Sequence, residues 1–90
     1  MAHVQRNRKQ LLARVRRIAG QVAALEKALA ADGDCADVLV QIAAARGAMH
    51  ALMMEVMAGH LAEHVAGEPD AAERQAQAET MIALLRRYAG

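Results

Sequence analysis

The chain has 90 residues and a mass of 9.6 kDa, which is enough for a single small domain over residues 1–90. Alanine occupies 23 positions, whereas tyrosine and proline occur once each and phenylalanine and tryptophan do not occur. Because good helix formers dominate and aromatic and β-branched residues are scarce, this composition predicts an all-α protein. A chain this short has a thin core, so we expect it to need partner chains.

Several protein classes are excluded by what the sequence lacks. No apolar run approaches the ~18–20 residues that span a bilayer, and the N-terminus lacks the apolar segment of a signal peptide. The single cysteine cannot form an internal disulfide bond. There is no serine, no glycine-rich phosphate loop and no obvious pair of catalytic carboxylates. The sequence therefore predicts a cytoplasmic protein that is neither an enzyme nor bound to a membrane.

The charge distribution is asymmetric, although the net charge is only +1. Residues 1–27 contain seven Lys or Arg and one acid, whereas residues 28–90 contain four basic and nine acidic residues. A run of charge is usually just a solvated helix surface, but here no acids at i+4 positions neutralise it. The pattern therefore predicts a surface that contacts DNA phosphates. The residues assigned to it are Lys9, Arg14, Arg16 and Arg17.

Three helices are predicted, over about residues 5–31, 35–65 and 70–88. In the first, apolar residues alternate in spacings of four and three, which is typical of helices that pack as coiled coils. This heptad stripe consists of Leu11, Val15, Ile18, Val22, Leu25 and Leu29. Gly33 is expected to stop the helix, and Asp34 is expected to cap the next one.

The second helix repeats this spacing from Cys35 onward and would be ~46 Å long. One short domain cannot cover a rod of this length, so its ends are expected to meet another protomer or solvent. Gly67 and Pro69 break the pattern, and Asp70 with Glu73 resembles a capping box that opens the third helix. We expect the C-terminal half of the third helix to dock through its apolar residues. These are Met81, Leu84, Leu85 and Tyr88.

Candidate metal ligands occur at both ends of the second helix. His60 and His64 stand four residues apart on one face, where both imidazoles can reach one metal ion. The alternative interpretation is that they are two partly exposed histidines near a helix end, without a metal. Cys35 lies ~37 Å from His60 along the helix, so the two cannot share a metal within one chain. An antiparallel dimer would bring the Cys35 of one chain beside the histidines of the other. The alternative interpretation of Cys35 is a small buried apolar residue without a ligand role.

The N-terminus offers two further ligands. Ala2 is small enough for Met1 to be removed, and its free amine could then chelate a metal together with His3, which is otherwise an unattached polar residue. Amine, imidazole and a single thiolate suit Ni(II) or Co(II), whereas Cu(I) prefers more thiolate. A tetrahedral Cys/His set could also bind Zn(II) without switching the protein. His50 points away from the His60–His64 face and is interpreted as a structural or surface residue.

Taken together, these residues resemble the CsoR/RcnR family of bacterial repressors that sense metals or aldehydes. The resemblance covers essentially the whole chain. It is carried by RVRRIAGQ (residues 14–21), QIAAARGA (41–48), LMMEV (52–56), Cys35, His60 and His64. It implies antiparallel dimers that form a four-helix bundle, and a homotetramer made of two dimers. It also implies that the ligand-free tetramer binds GC-rich operator DNA, and that ligand binding releases the DNA and derepresses an efflux or detoxification gene.

The resemblance is to the branch that senses nickel or cobalt. Its matched positions here hold His3, Cys35, His60 and His64. Copper sensors of the family carry a second cysteine where His64 stands, and formaldehyde sensors typically carry a carboxylate there and proline as the second residue. Two residues depart from the family pattern. His50 stands where relatives have asparagine, and Met54 stands where several members have an arginine that touches DNA.

Two alternatives stay open. A formaldehyde-responsive repressor would use Cys35 and the amine of Ala2, which formaldehyde could bridge. A helical oligomerisation module with incidental histidines would have no role on DNA.

Overall fold

The computed structural model describes residues 7–88, which form three α-helices and no strand. Helix α1 spans Arg8–Ala30, α2 spans Cys35–Leu61 and α3 spans Ala71–Tyr88. The prediction of an all-α chain with three helices is therefore confirmed. The described residues divide into two compact units, a first unit of residues 7–54 and a second unit of residues 55–88, and α2 contributes to both.

The heptad stripe of α1 consists of two rows that differ in burial. Leu11 and Ile18 are buried and Leu25 is half-buried, and these residues recur every seven positions. The other row also recurs every seven positions, and its members Val15, Val22 and Leu29 are 46%, 51% and 61% exposed. The single chain therefore covers only one of the two rows of a stripe that is apolar along its whole length.

The part of α2 that lies in the first unit shows the same division. Its half-buried row consists of Val38, Ala45 and Leu52. Its exposed row consists of Cys35, Ile42 and Met49, of which Ile42 and Met49 are 44% and 55% exposed. Because both helices of the first unit carry one covered and one uncovered row, the prediction that the core is thin agrees with the burial observed.

Helix α1 ends in a Schellman turn that involves two adjacent residues. The N–H of Gly33 donates to the carbonyl of Ala28 at 2.7 Å, and the N–H of Asp32 donates to the carbonyl of Leu29 at 3.3 Å. Asp32 holds the left-handed conformation, with φ of 57°. The predicted stop is therefore in the right place, but Asp32, and not Gly33, takes the conformation that glycine usually supplies. Gly33 is required for a different reason, because a Cβ there would lie 2.7 Å from the carbonyl oxygen of Ala28.

In the second unit, α2 passes directly into a π-helical turn, Ala62–Ala66. The prediction of one α-helix to residue 65 is therefore corrected: regular α-helix ends at Leu61 and the last turn is wider. Gly67 follows the turn, and a Cβ at this position would lie 2.9 Å from the carbonyl oxygen of Ala62. The chain thus leaves the helix where glycine permits close approach of the backbone.

Helix α3 begins as the sequence predicts, after Asp70. Its C-terminal half is only partly docked within the chain: Met81 is 4% exposed, whereas the remaining apolar residues are exposed. These residues are Ile82, Leu84, Leu85 and Tyr88. The prediction that this half docks is therefore met by Met81 alone in the single chain.

The Schellman turn provides a stability test. We expect Gly33→Ala to lower the free energy of unfolding by ~1–3 kcal/mol, because the added methyl group must displace the backbone of Ala28. Gly20→Ala is the control, since nothing lies within 4 Å of a Cβ there. Replacing this mid-helix glycine should raise stability by ~0.5–1 kcal/mol. Thermal and urea unfolding followed by circular dichroism measures both, and equal effects of the two substitutions would contradict the contact.

Candidate effector site and nucleic-acid interface

Two histidines lie side by side in the second unit. His60 belongs to the last turn of α2 and His64 to the π-helical turn, and both are half-buried. Their ring centroids are 4.7 Å apart and the ring planes are inclined by 47°. Imidazole nitrogens that ligate one transition metal lie ~2.0–2.1 Å from it, so two neighbouring rings of this kind suit a shared ion. The spacing in the sequence therefore does correspond to adjacent side chains, despite the change from α- to π-helix.

A hydrogen-bonded chain of side chains continues from His60 to α3. His60 Nε2 and Gln77 Oε1 are 2.9 Å apart, and Gln77 Nε2 donates to Glu73 Oε1 at 3.0 Å. Gln77 is half-buried. The amide of Gln77 therefore lies between an imidazole and a carboxylate and contacts both.

The N-terminus of α3 holds Glu73 by its backbone. The carboxylate of Asp70 accepts a hydrogen bond from the N–H of Glu73 at 2.8 Å, which is one half of the predicted capping box. In a complete capping box, Glu73 would in turn accept from the N–H of Asp70. Here the carboxylate of Glu68 accepts from that N–H at 3.2 Å. The carboxylate of Glu73 consequently bonds to Gln77 instead.

The remaining predicted ligands are not brought to this pair in the part of the chain that the structure describes. Cys35 is exposed and is the first residue of α2. Ala2 and His3 lie outside the described residues. Over residues 7–88, no three His, Cys, Asp or Glu side chains form a group that could hold a metal ion. His50 is exposed on α2, in agreement with its interpretation as a surface residue.

The predicted DNA contacts all lie on α1. Lys9, Arg14, Arg16 and Arg17 are exposed. Lys9 and Arg16 are seven residues apart and therefore share one side of the helix, roughly opposite the buried Leu11 and Ile18. No acidic residue occurs in the first turn of α1. Exposed positive charge of this kind suits phosphate contacts, and Lys9 and Arg16 face away from the covered row of α1.

Gln77 is a site residue that the sequence analysis missed. Because Glu73 and Gln77 stand four residues apart on one helix, their spacing does predict the hydrogen bond between them. Its contact with His60 joins residues that are 17 positions apart in the chain, and no local spacing indicates such a contact.

None of the helices formed by residues 7–88 is long and apolar enough to cross a membrane.

Comparison with known proteins identifies the family. Residues 7–87 match the family model described as metal-sensitive transcriptional repressor. The chain belongs to this family. The CsoR/RcnR resemblance is thereby confirmed, and the chain is a member of a family of transcriptional repressors and not of enzymes.

Three similar proteins illustrate the membership. A protein encoded in the bioA 5′ region of Serratia marcescens is 48% identical over 89 residues, and the transcriptional repressor RcnR of Citrobacter koseri is 44% identical over 88 residues; each alignment covers 98% of both chains. A solved structure is also similar, with a TM-score of 0.83 and 45% identity over 92% of this chain and 94% of the other. It is a glutamate-to-histidine variant of the formaldehyde-responsive regulator FrmR of Salmonella enterica serovar Typhimurium.

These matches establish the fold and the general role. The structural neighbour shares the all-α fold, and a transcriptional repressor has operator DNA as its partner. A helical module without a role on DNA is therefore excluded. The family description names metals, whereas the structural neighbour is a regulator that responds to formaldehyde.

Proposed function

We propose that this protein is a cytoplasmic, homotetrameric repressor that binds GC-rich operator DNA in its ligand-free form and is released by Ni(II) or Co(II), which derepresses a metal efflux gene. The observation that carries the proposal is the pair of neighbouring imidazoles of His60 and His64, whose ring centroids are 4.7 Å apart. A copper sensor of this family would place a second thiolate at position 64, and a formaldehyde sensor a carboxylate.

The proposed metal site consists of five groups. Cys35 of the partner subunit joins His60 and His64, and the N-terminal arm adds the imidazole of His3 and the backbone amine of Ala2. This set contains one thiolate and several nitrogens, a borderline combination that suits Ni(II) and Co(II) better than Cu(I). Zn(II) is expected to bind as well, because a tetrahedral Cys/His set needs neither the arm nor further ligands. Affinity alone therefore does not identify the effector.

Association of two chains is required because the ligands lie on different chains. The exposed rows of α1 and α2, which include Val22 and Met49, supply apolar surface that a second copy can cover. In an antiparallel arrangement, the start of one α2 lies beside the end of the other, which gives two equivalent sites per dimer. In this proposal residues 1–90 form a single domain.

The basic surface of α1 accounts for DNA binding in this scheme. Lys9, Arg14, Arg16 and Arg17 contact phosphates or the groove, and association multiplies the surface. Metal binding must favour the DNA-free form to release the operator, and a typical coupling free energy of ~1–3 kcal/mol changes affinity 5–150-fold. Closure of the N-terminal arm over the metal, directly before the basic surface in the sequence, provides the physical link.

The exposed row is tested by Val22→Glu, which places a carboxylate where we expect the second copy to pack. We expect the assembly to fall to lower multiples of the 9.6 kDa chain, because an unpaired buried charge is strongly unfavourable. Ala24→Glu on the same helix, outside the heptad stripe, is the control and should assemble as the unmodified protein does. Size-exclusion chromatography with light scattering measures the mass, and circular dichroism checks the helix content. An unchanged mass for Val22→Glu would contradict the dimer surface.

The effector is tested by fluorescence anisotropy with a GC-rich duplex taken from beside the protein's own gene. We expect tight, salt-dependent binding without ligand, and release by Ni(II) or Co(II) but not by Zn(II), Cu(I) or formaldehyde. His64→Ala should keep DNA binding and lose the response to nickel and cobalt. His50→Ala is the matched control, because it removes an exposed histidine of the same helix. A full response of His64→Ala to the metal would refute the proposed ligand set.

The N-terminal arm is tested by His3→Ala. We expect the variant to bind nickel through the remaining ligands but to release DNA less completely, since the arm links the metal to the basic surface. Nickel binding is followed by competition with a chelating dye, and DNA release by anisotropy. Undiminished release by a nickel-loaded His3→Ala protein would count against the arm.

Formaldehyde is the second candidate effector, and the similarity to the formaldehyde-responsive FrmR variant favours it. In this scheme formaldehyde carbon joins the Ala2 amine nitrogen to the Sγ of Cys35, with loss of one water molecule. The exposure of Cys35 suits such a reaction. Mass spectrometry separates the candidates, because the bridge adds one carbon atom covalently whereas a metal leaves the denatured chain unchanged. Release of DNA by formaldehyde alone would establish this candidate in place of nickel and cobalt.

A further inference from the structure

The side-chain amide of Gln77 is held in one orientation by its neighbour on α3. A carboxylate only accepts hydrogen bonds, so the contact of 3.0 Å with Glu73 Oε1 must be donated by the Gln77 NH₂ group. The opposite end of the amide, its Oε1 oxygen, then faces His60. If the amide were reversed, its oxygen would face a carboxylate oxygen, and two acceptors would repel each other.

The position of Glu73 depends in turn on the helix cap. Its backbone N–H is bound by Asp70, and Glu68 accepts the hydrogen bond that would otherwise draw the Glu73 side chain back toward Asp70. The carboxylate of Glu73 is therefore directed along α3 toward Gln77. The contact that orients the amide consequently depends on residues fixed at the start of the helix.

The amide in turn selects one form of the His60 ring. An oxygen of Gln77 lies 2.9 Å from Nε2 and can only accept, so Nε2 must carry a proton. In a neutral imidazole with a proton on Nε2, the lone pair that can bind a metal belongs to Nδ1. Partners of this kind fix the tautomer and the ring orientation of metal-binding histidines, and their loss typically lowers metal affinity 10–100-fold.

We propose that Gln77, oriented by Glu73, is a positioning residue that holds His60 with its proton on Nε2 and directs Nδ1 to the effector metal. The tautomer part concerns the metal-free protein and is independent of the effector. The metal part rests on the proposed function.

The tautomer is measured in the metal-free, full-length protein by nitrogen-15 NMR of the imidazole rings. We expect the proton on Nε2 of His60 in the unmodified protein and a mixture of tautomers in Gln77→Leu. Gln75→Leu is the matched control, because Gln75 makes an equivalent bond of 3.0 Å to Glu79 on the same helix. Gln77→Glu combined with Glu73→Gln should restore the proton on Nε2, since the carboxylate at position 77 accepts from His60 and the amide at position 73 donates to that carboxylate. A proton on Nδ1 in the unmodified protein, or no change in Gln77→Leu, overturns the proposal.

Nickel affinity is then measured for the same four proteins by competition with a chelating dye. We expect a loss of ~10–100-fold for Gln77→Leu, no loss for Gln75→Leu and recovery in the double variant Glu73→Gln with Gln77→Glu. An unchanged affinity in Gln77→Leu overturns the metal part of the proposal. If the unmodified protein binds no nickel, both the proposed function and this metal part fail, and the NMR measurement still decides whether Gln77 sets the tautomer. A loss in Gln77→Leu that the double variant does not recover would indicate a packing defect and would also overturn the positioning role.

Discussion

Half of each heptad stripe in the first unit is exposed, and the rest of the proposed sensor depends on how this apolar surface is covered. A continuous seam of apolar side chains is stable in water only when both of its rows pack. The single chain covers the row that contains Ile18 and leaves the row that contains Val22 exposed. The proposed association would therefore stabilise each chain and, in the antiparallel form, would also bring Cys35 of the partner subunit to the histidine pair. Folding, assembly and effector binding would then share the same surface.

The periodicity of the sequence was sufficient to predict most of the secondary structure. Stripes of fixed spacing predicted α1 and α2, and Asp70 predicted the start of α3, because these signals act within one or two helical turns. The same reasoning identified His60 and His64 as neighbours. Residues at i and i+4 remain close even where the last turn widens to a π-helix.

The features that the sequence did not predict depend on competition between local interactions or on contacts between helices. Asp32 adopts the left-handed conformation, whereas the adjacent Gly33 is needed because a Cβ there would meet the carbonyl oxygen of Ala28. In a capping box, Glu73 would accept a hydrogen bond from the N–H of Asp70. Here Glu68 accepts that bond, and the carboxylate of Glu73 bonds to Gln77. The contact of Gln77 with His60 links α3 to α2, and no spacing along one helix specifies it.

The orientation of Gln77 also bears on where selectivity arises. Its hydrogen bond to His60 is made in the metal-free chain, so under the proposal it would position the ring equally for any ion that binds through Nδ1. Discrimination between ions must then come from the other ligands and from the number of ligands required. Zn(II) is satisfied by four, whereas a response that needs the N-terminal arm selects ions that accept more nitrogen ligands. In the proposed site Gln77 would set the affinity, and the N-terminal ligands would determine which bound metals release the DNA.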